Sequence, residues 1–562
     1  MYLAISTMGN RLNASSKICD LFKKKKKALP IETSFQLPSQ LPSWPPGGDF
    51  ARGTIDLGGL EICQVSTFTK VWTTHEGGLD DLGATFFEPS TVPDGFFTLG
   101  CYSQPNNKSL NGWILAAKDV TNDPSRGLLK PPIDYSLVWS SESLKIKQDG
   151  VGYIWLPIPP EGYKVIGHVV TNSPEKPALD KVRCVHVDFT DVFENGELIW
   201  SSGTGFNVYS PRPRVRGVEA MGILTGTFVA QKDGVDSEYL ACLKNANGSR
   251  NAMPNADQIK ALVEAYSPHI YFHPDEQYFP CSVTWFFENG ALLYTKGEES
   301  KPLSIDKTGS NLPQGGGNDG AYWLDLPSDN ATKERVKKGD LAEACAYLHV
   351  KPMFGGTYTD IAIWLFYPFN GPAKAKVAFF NISLGKIGQH VGDWEHVTLR
   401  ISNLNGELKS VYYARHSGGI WLDTSQLEFE NGNRPVAYSS LSGHASYQKP
   451  GLVLQGSGNI GIRNDSAKSK FLMDVGAKFV VVNAEYLGSI FVEPPWLNYA
   501  REWGPKISYS IDVELKKVEK VLPGKLKRLF DRLVRSLPDE VLGEEGPTGP
   551  KGKDSWMGDE RD

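Results

Sequence analysis

Gly-Gln-His-Val-Gly-Asp-Trp-Glu-His-Val-Thr-Leu-Arg, residues 388–400, is the stretch on which the reading of this chain turns. Read as an extended strand, it places Asp393, Glu395 and Val397 on one face and Trp394, His396 and Thr398 on the other. If the face with the two carboxylates points into a core, they have to be neutralised by a cation or a basic side chain. His390, just ahead of them, completes a mixed imidazole and carboxylate set. His390, Asp393 and Glu395 therefore form a candidate site for a divalent cation, Mg2+, Mn2+ or Ca2+. The alternative is that the carboxylates face solvent or pair with Arg400 or Arg415 in a structural network.

The segments around this strand fit the same sheet. Upstream, Ile361-Ala362-Ile363-Trp364-Leu365-Phe366-Tyr367 is an apolar run ended by Pro368 and by Gly371-Pro372, which predicts a buried strand over residues 357–370. Downstream, Tyr412-Tyr413-Ala414-Arg415-His416 and Ser442-Gly443-His444 each set a histidine beside small residues after a strand. His396, Arg415, His416 and His444 are thus candidates for holding a phosphate or sugar oxygen, or they are hydrogen-bonded structural groups. Residues 257–266 predict a short helix with Ile259, Leu262, Val263 and Tyr266 on one face. Residues 332–348 predict another, with Leu341, Ala344, Cys345 and Leu348 inward. His269 and His273 lie between prolines and read as a turn-bounded strand, which excludes a helical metal pair. The polar, glycine-rich stretch 296–320 reads as a loop and has no phosphate-loop Lys-Ser or Lys-Thr.

The first half carries a repeat. Lys70-Val71-Trp72-Thr73-Thr74 is echoed by Leu137-Val138-Trp139-Ser140-Ser141 and by Leu198-Ile199-Trp200-Ser201-Ser202, a unit of about sixty residues. Within it, Val92-Pro93-Asp94-Gly95-Phe96 matches Pro159-Pro160-Glu161-Gly162-Tyr163, a turn that the third copy has lost. Short aromatic and β-branched runs between Pro and Gly predict three related sheets in a β-prism arrangement.

The chain has 562 residues, 40% hydrophobic and 22% charged, which is globular material for two or three domains. A net charge of -5 gives no basic field for nucleic acid. The seven cysteines have no Cys-x-x-Cys pair, which suggests a reducing compartment and buried apolar roles. No apolar run is long enough to span a membrane and no secretory start is apparent, so a cytoplasmic protein is expected, with a peripheral place on endomembranes as the further expectation. Two basic stretches stand out: Lys23 to Lys27 near the start, and 513–537, where Pro523 divides an amphipathic pattern into two short helices. The second docks on the domain or lies on a membrane.

Leu41-Pro42-Ser43-Trp44-Pro45, Gly58-Gly59-Leu60-Glu61 and Leu99-Gly100-Cys101-Tyr102 resemble the plant family called vacuolar protein sorting-associated protein 62-like. So do His390 to His396, Arg501 to Pro505 and Gly546 to Lys551, so the resemblance covers nearly the whole chain. The Pro-acid-Gly-aromatic turns also resemble the multivesicular-body-associated β-prism, which implies binding to acidic membranes. The apolar strand, Tyr-Pro, and histidine stretch leading to Asp-Trp-Glu-His resemble the necrosis- and ethylene-inducing peptide-like proteins, β-sandwich toxins that hold a divalent cation. That resemblance places their cation ligands on His390, Asp393 and Glu395, while Gly392 stands where they have a second histidine.

The expected fold is mainly β: an N-terminal β-prism-like domain and a C-terminal β-sandwich with short helices. The expected divisions are 1–36 a basic tail, 37–245 the prism with three degenerate repeats, 246–512 the sandwich, and 513–562 a basic helical segment and polar tail. The expected function is a peripheral protein of endomembrane or vacuolar trafficking. It would bind an anionic lipid or glycolipid headgroup through a divalent cation, with trafficking proteins as further partners. The rival readings are a metal-dependent hydrolase using the same site with His396, His416 or His444 as acid or base, and a structural adaptor without metal.

Overall fold

The computed structural model describes residues 34–561 apart from 122–126, 233–237, 249, 417, 458–459 and 536–545. Lys23 to Lys27 and most of the predicted N-terminal tail lie outside the described residues.

The first half builds six small sheets, two per repeat. Its centre explains the sixty-residue period. Trp72, Trp139 and Trp200, one from each copy, meet with ring centroids 5.5 to 5.7 Å apart. A second layer closes through the backbone: Cys101 N–H donates to His168 O, His168 N–H to Phe228 O, and Phe228 N–H to Cys101 O, at 2.9, 3.0 and 3.2 Å. Each repeat thus supplies one tryptophan and one rung of a three-membered ring, which is the prism read from the sequence. Gly100 and Gly167 sit at this axis, where a Cβ on Gly167 would stand 2.6 Å from Thr227. The six described cysteines are free and buried; desolvation raises the Cys101 thiol to about 11, so it is an apolar filler and not a nucleophile.

The second half opens with helix α1 (Ala256–Tyr266), capped by a reciprocal Asn255 and Gln258 pair. Its strands that bear on function are β1 (Ala346–Met353), β2 (Tyr358–Asn370), β3 (Lys374–Val377), β4 (Phe380–Ser383), β5 (His390–Ser402), β6 (Leu408–Arg415), β7 (Gly418–Asp423), β8 (Gly451–Ser457), β9 (Ile460–Ser466) and β10 (Phe479–Asn483). The central sheet runs β7-β6-β5-β2-β1-β10, antiparallel except for the β1 and β10 pair. On one face Val397, Leu399 and Ile401 of β5 pack with α1 and with Ile270, Ala437 and Met473 of a second sheet, giving the sandwich. On the other face Trp394, Trp364 and Phe366 pack with Phe286, Trp496 and Trp503.

The predicted helix over 332–348 is corrected. Only Asn330–Val336 is helical; Gly339 at φ +62° and the Asp340 turn end it, and the Leu348 region becomes β1. Its Ala and Leu content favours a helix, but pairing on both edges, with β2 and β10, outweighs propensity. Pro523 divides the basic segment as predicted, into α2 (Ile511–Val521) and α3 (Gly524–Val534). Both pack on the small sheet β4-β3-β9-β8, with Val518, Leu522, Phe530 and Leu533 against Ala375, Val377 and Ile462.

The halves are in contact. Leu404 inserts among Ile55, Leu57 and Leu60 of the first half, Lys108 pairs with Asp423, and Asn245 Nδ2 donates to Gly355 O at 2.6 Å. Residues 546–561 run back across the sandwich. Trp556 stacks on His349 at 3.8 Å, and Asp559 accepts from Arg216 of the first half at 3.0 Å and from Arg400 of β5 at 2.6 Å. Among the described residues no helix is long and apolar enough to cross a membrane.

Candidate functional site

Strand β5 positions the site because it outruns one of its neighbours. Its ladder with β2 extends from His390 to Ser402, whereas its pairs with β6 run only from Val397 to Ile401. The stretch from His390 to His396 therefore borders a gap, which deepens into a cavity of about 720 Å3. Gly392, at φ +67°, interrupts the alternation, so Val391 packs beside Trp394 in the apolar core. The glycine is required there twice over, since a Cβ would also lie 2.4 Å from Trp503 O.

His390, Asp393 and Glu395 all line the cavity. His390 Nδ1 donates to Gly392 O at 2.7 Å; since a carbonyl only accepts, the neutral ring carries its lone pair on Nε2. Burial lowers the His390 pKa, with Asp393 opposing, so the ring is neutral at neutral pH. Asp393 Oδ2 accepts from His444 Nδ1 at 2.9 Å. Burial pushes the Asp393 carboxyl up, but the hydrogen bond from His444 and the positive groups around it, Lys553 among them, outweigh it and hold the group below the usual carboxylate range. A neutral imidazole whose Nδ1–H is fixed by a carbonyl, beside an ionised carboxylate, is the donor chemistry of a cation site. Among the described residues no three His, Cys, Asp or Glu side chains are gathered as a ready-made one.

The other candidates divide. His396 lines the cavity, stacks on Trp364 at 4.2 Å and meets Glu560 at 3.0 Å. His416 also lines it, with Nε2 3.1 Å from Asn464 Oδ1. His444 is fully buried beneath Asp393 and stacked on Tyr367 at 3.9 Å. Its Nε2 has no hydrogen-bond partner among the described residues. Arg415 is turned away, stacked over Tyr447 and donating to Gln448. The arginine network proposed for the carboxylates is not the one formed by Arg400, which binds Asp360 and Asp559. His416, Ser442 and His444 all have positive φ, at 52°, 69° and 56°; such strained backbone clusters at ligand sites.

Sequence reasoning missed the far wall. Lys553, Asp554, Glu560 and Arg561 of the C-terminal segment and Arg463 of β9 line the same cavity, so it carries both signs of charge. Glu560 binds His396 and the Thr398 hydroxyl, the latter at 2.7 Å. Burial alone would raise its carboxyl, yet the His396 and Lys351 charges and the Thr398 bond bring it down to about 2. Nothing local in a glycine-rich, charged segment signals a partner about 160 residues away.

The sequence profile of vacuolar protein sorting-associated protein 62 matches residues 31–560. The chain belongs to that family. No curated protein matches it. Solved structures similar to parts of it include GNIP1Aa from Chromobacterium piscinae, 19% identical, over 37% of this chain and 40% of that one, at a TM-score of 0.28. A protein described as a toxin fold for microbial attack and plant defense is 17% identical over 35% and 69%, at 0.20. NLPPya in complex with glucosamine is 15% identical over 38% and 75%, at 0.19. This member of the vacuolar protein sorting-associated protein 62 family thus spans about two fifths of GNIP1Aa.

Proposed function

We propose that the cavity beside β5 binds the polar headgroup of a glycolipid or anionic lipid, with a divalent cation held by His390, Asp393 and Glu395 bridging to the headgroup oxygens, as part of vacuolar or endomembrane sorting. The observation that carries this reading is that these three donors line one cavity together with Lys553 of the C-terminal segment. The donors suit a hard or borderline cation, the lysine suits a phosphate, and the polar histidine and asparagine groups suit sugar hydroxyls. Headgroup oxygens would complete the coordination that the side chains alone leave short.

Binding is favoured over hydrolysis by how the histidines are committed. His444 has the carboxylate partner of a general base, but its ring is sealed from the cavity. His396 is held by Glu560 and His416 faces Asn464.

Titration calorimetry of the full chain with Mg2+, Mn2+ and Ca2+, then with glucosamine and inositol phosphate in the presence of the cation, tests the reading. Cation binding that disappears in Asp393→Asn/Glu395→Gln, and sugar or phosphate binding that requires the cation, are the expected results. A wild-type protein silent to all three cations refutes the bridge.

A further inference from the structure

The most exposed large apolar side chain among the described residues is Phe379, 91% accessible, and its neighbour Phe380 is 53% accessible. Both sit at the tip of the β3 and β4 hairpin, where Ala378 takes φ +57° to make the turn. The hairpin is not a loose loop. It belongs to the small sheet whose inner face is filled by α2 and α3. Val377 pairs with Phe380 and with Ile460 of β9, so the two rings are presented from a braced edge and take no part in the core beneath.

The hairpin and α3 carry more basic groups than the acids packed beside them, which are Glu514 against Gly385 and Asp465 paired with Arg463. Residues 373–388 contain Lys374, Lys376 and Lys386 and no acidic residue. On α3 and just beyond it Arg528, Arg532 and Arg535 are exposed, with Asp531 the one acid between them. This concentration stands out in a chain whose net charge is -5.

We propose that the Phe379 and Phe380 tip, with the lysines of its hairpin and the arginines of α3, is a docking surface for an anionic lipid membrane. Two aromatic rings on a narrow tip suit the boundary between headgroups and acyl chains, with flexible cationic side chains reaching the phosphates. A protein partner would need a broad complementary face of about 800 Å2, which a hairpin tip with two rings does not offer. The other end of the same hairpin, Ala373 and Lys374, lines the cavity beside β5, about 13 Å from the tip at strand spacing. Docking by the tip therefore brings the cavity towards the headgroups. As a route to a headgroup this rests on the proposed function; as a membrane contact it does not.

The test is flotation of the full chain with vesicles of phosphatidylcholine alone or mixed with phosphatidylserine. The wild type is expected to float with the mixed vesicles. Phe379→Ser/Phe380→Ser is expected to lower binding at least ten-fold while melting close to the wild type, because neither ring belongs to the core beneath. Arg528→Glu/Arg532→Glu is expected to lower it by about five-fold per charge. Leu79→Ser, which alters an exposed leucine of the first half, is the control and keeps binding. Flotation in EDTA, with no divalent cation for the cavity, is expected to be unchanged, since docking needs only the surface; this separates the docking surface from the cavity. Equal flotation of the wild type and the phenylalanine variant, or no flotation of the wild type with anionic vesicles, overturns the proposal. A tip that serves a protein partner gives the latter.

Discussion

At the scale of single residues, the charges buried along β5 decide stability. Arg400 is 7% exposed and lies between Asp360, fully buried, and Asp559, with its guanidinium also over the Trp421 ring at 3.9 Å. Burial works against its charge, and the two carboxylates outweigh that and raise its pKa. Arg400→Leu would leave two buried carboxylates facing each other, an expected loss of about 3–5 kcal/mol. Asp360→Asn added to Arg400→Leu should restore part of it; urea titrations of the two variants check this. Glu560 gives a pH signature. Its folded pKa of about 2 lies below the ordinary value of 4.5, so its stabilisation is complete above about pH 4.5 and is lost as the pH falls towards 2. Glu560→Gln should lie up to about 3 kcal/mol below the wild type at pH 7, and the two should converge near pH 2 in thermal melts.

At the scale of elements, the bend in β5 is set by Gly392. Gly392→Ala combines an unfavourable φ with a clash against Trp503 O; a loss of about 1–3 kcal/mol is expected, read as a lower urea midpoint with cation binding lost in calorimetry. How far elements could be read from the sequence follows from where their determinants lie. Strand β5 was legible because alternation is written in the strand itself, and the break at Pro523 because proline acts locally. Helix α1 was legible from its apolar spacing, which Asn255 and Gln258 reinforce. Strand β1 was not, since its conformation comes from pairing with β2 on one side and, on the other, with β10 far along the chain. Among candidate site residues, His390, Asp393, Glu395, His396 and His416 reach the cavity and Arg415 does not. The direction of a side chain past the end of a ladder depends on Tyr447 and Gln448, which no local pattern announces. Lys553 and Glu560 were invisible for the same reason.

At the scale of the whole molecule, the two halves share buried groups. Leu404, 4% exposed, belongs to a strand connection of the sandwich yet packs in the core of the prism, and Asp559 joins Arg216 to Arg400. Calorimetry of the full chain should therefore show one cooperative transition. Leu404→Ala, at about 2–5 kcal/mol, should broaden or split it; two well-separated transitions in the wild type would contradict a shared core. The three-fold centre of Trp72, Trp139 and Trp200 was foreshadowed by the repeat, because a sixty-residue period has only a few ways to bury a tryptophan from each copy. The contact between halves had no such signal: Leu404 looks like any leucine in a turn.

The C-terminal segment has a consequence in time. Arg216 and Asp559 are 343 positions apart, and Lys108 and Asp423 are 315 apart. Contacts that close such long loops form late, because chain entropy must be surrendered before they return any energy. During synthesis the strands of the prism and the central sheet emerge before residues 546–561, and until these are in place Arg400 has Asp360 but not Asp559, while His396 has no Glu560. The nascent chain therefore passes through a stage with the groove beside β5 open and its charges half satisfied. Laying down this segment turns that groove into a walled cavity.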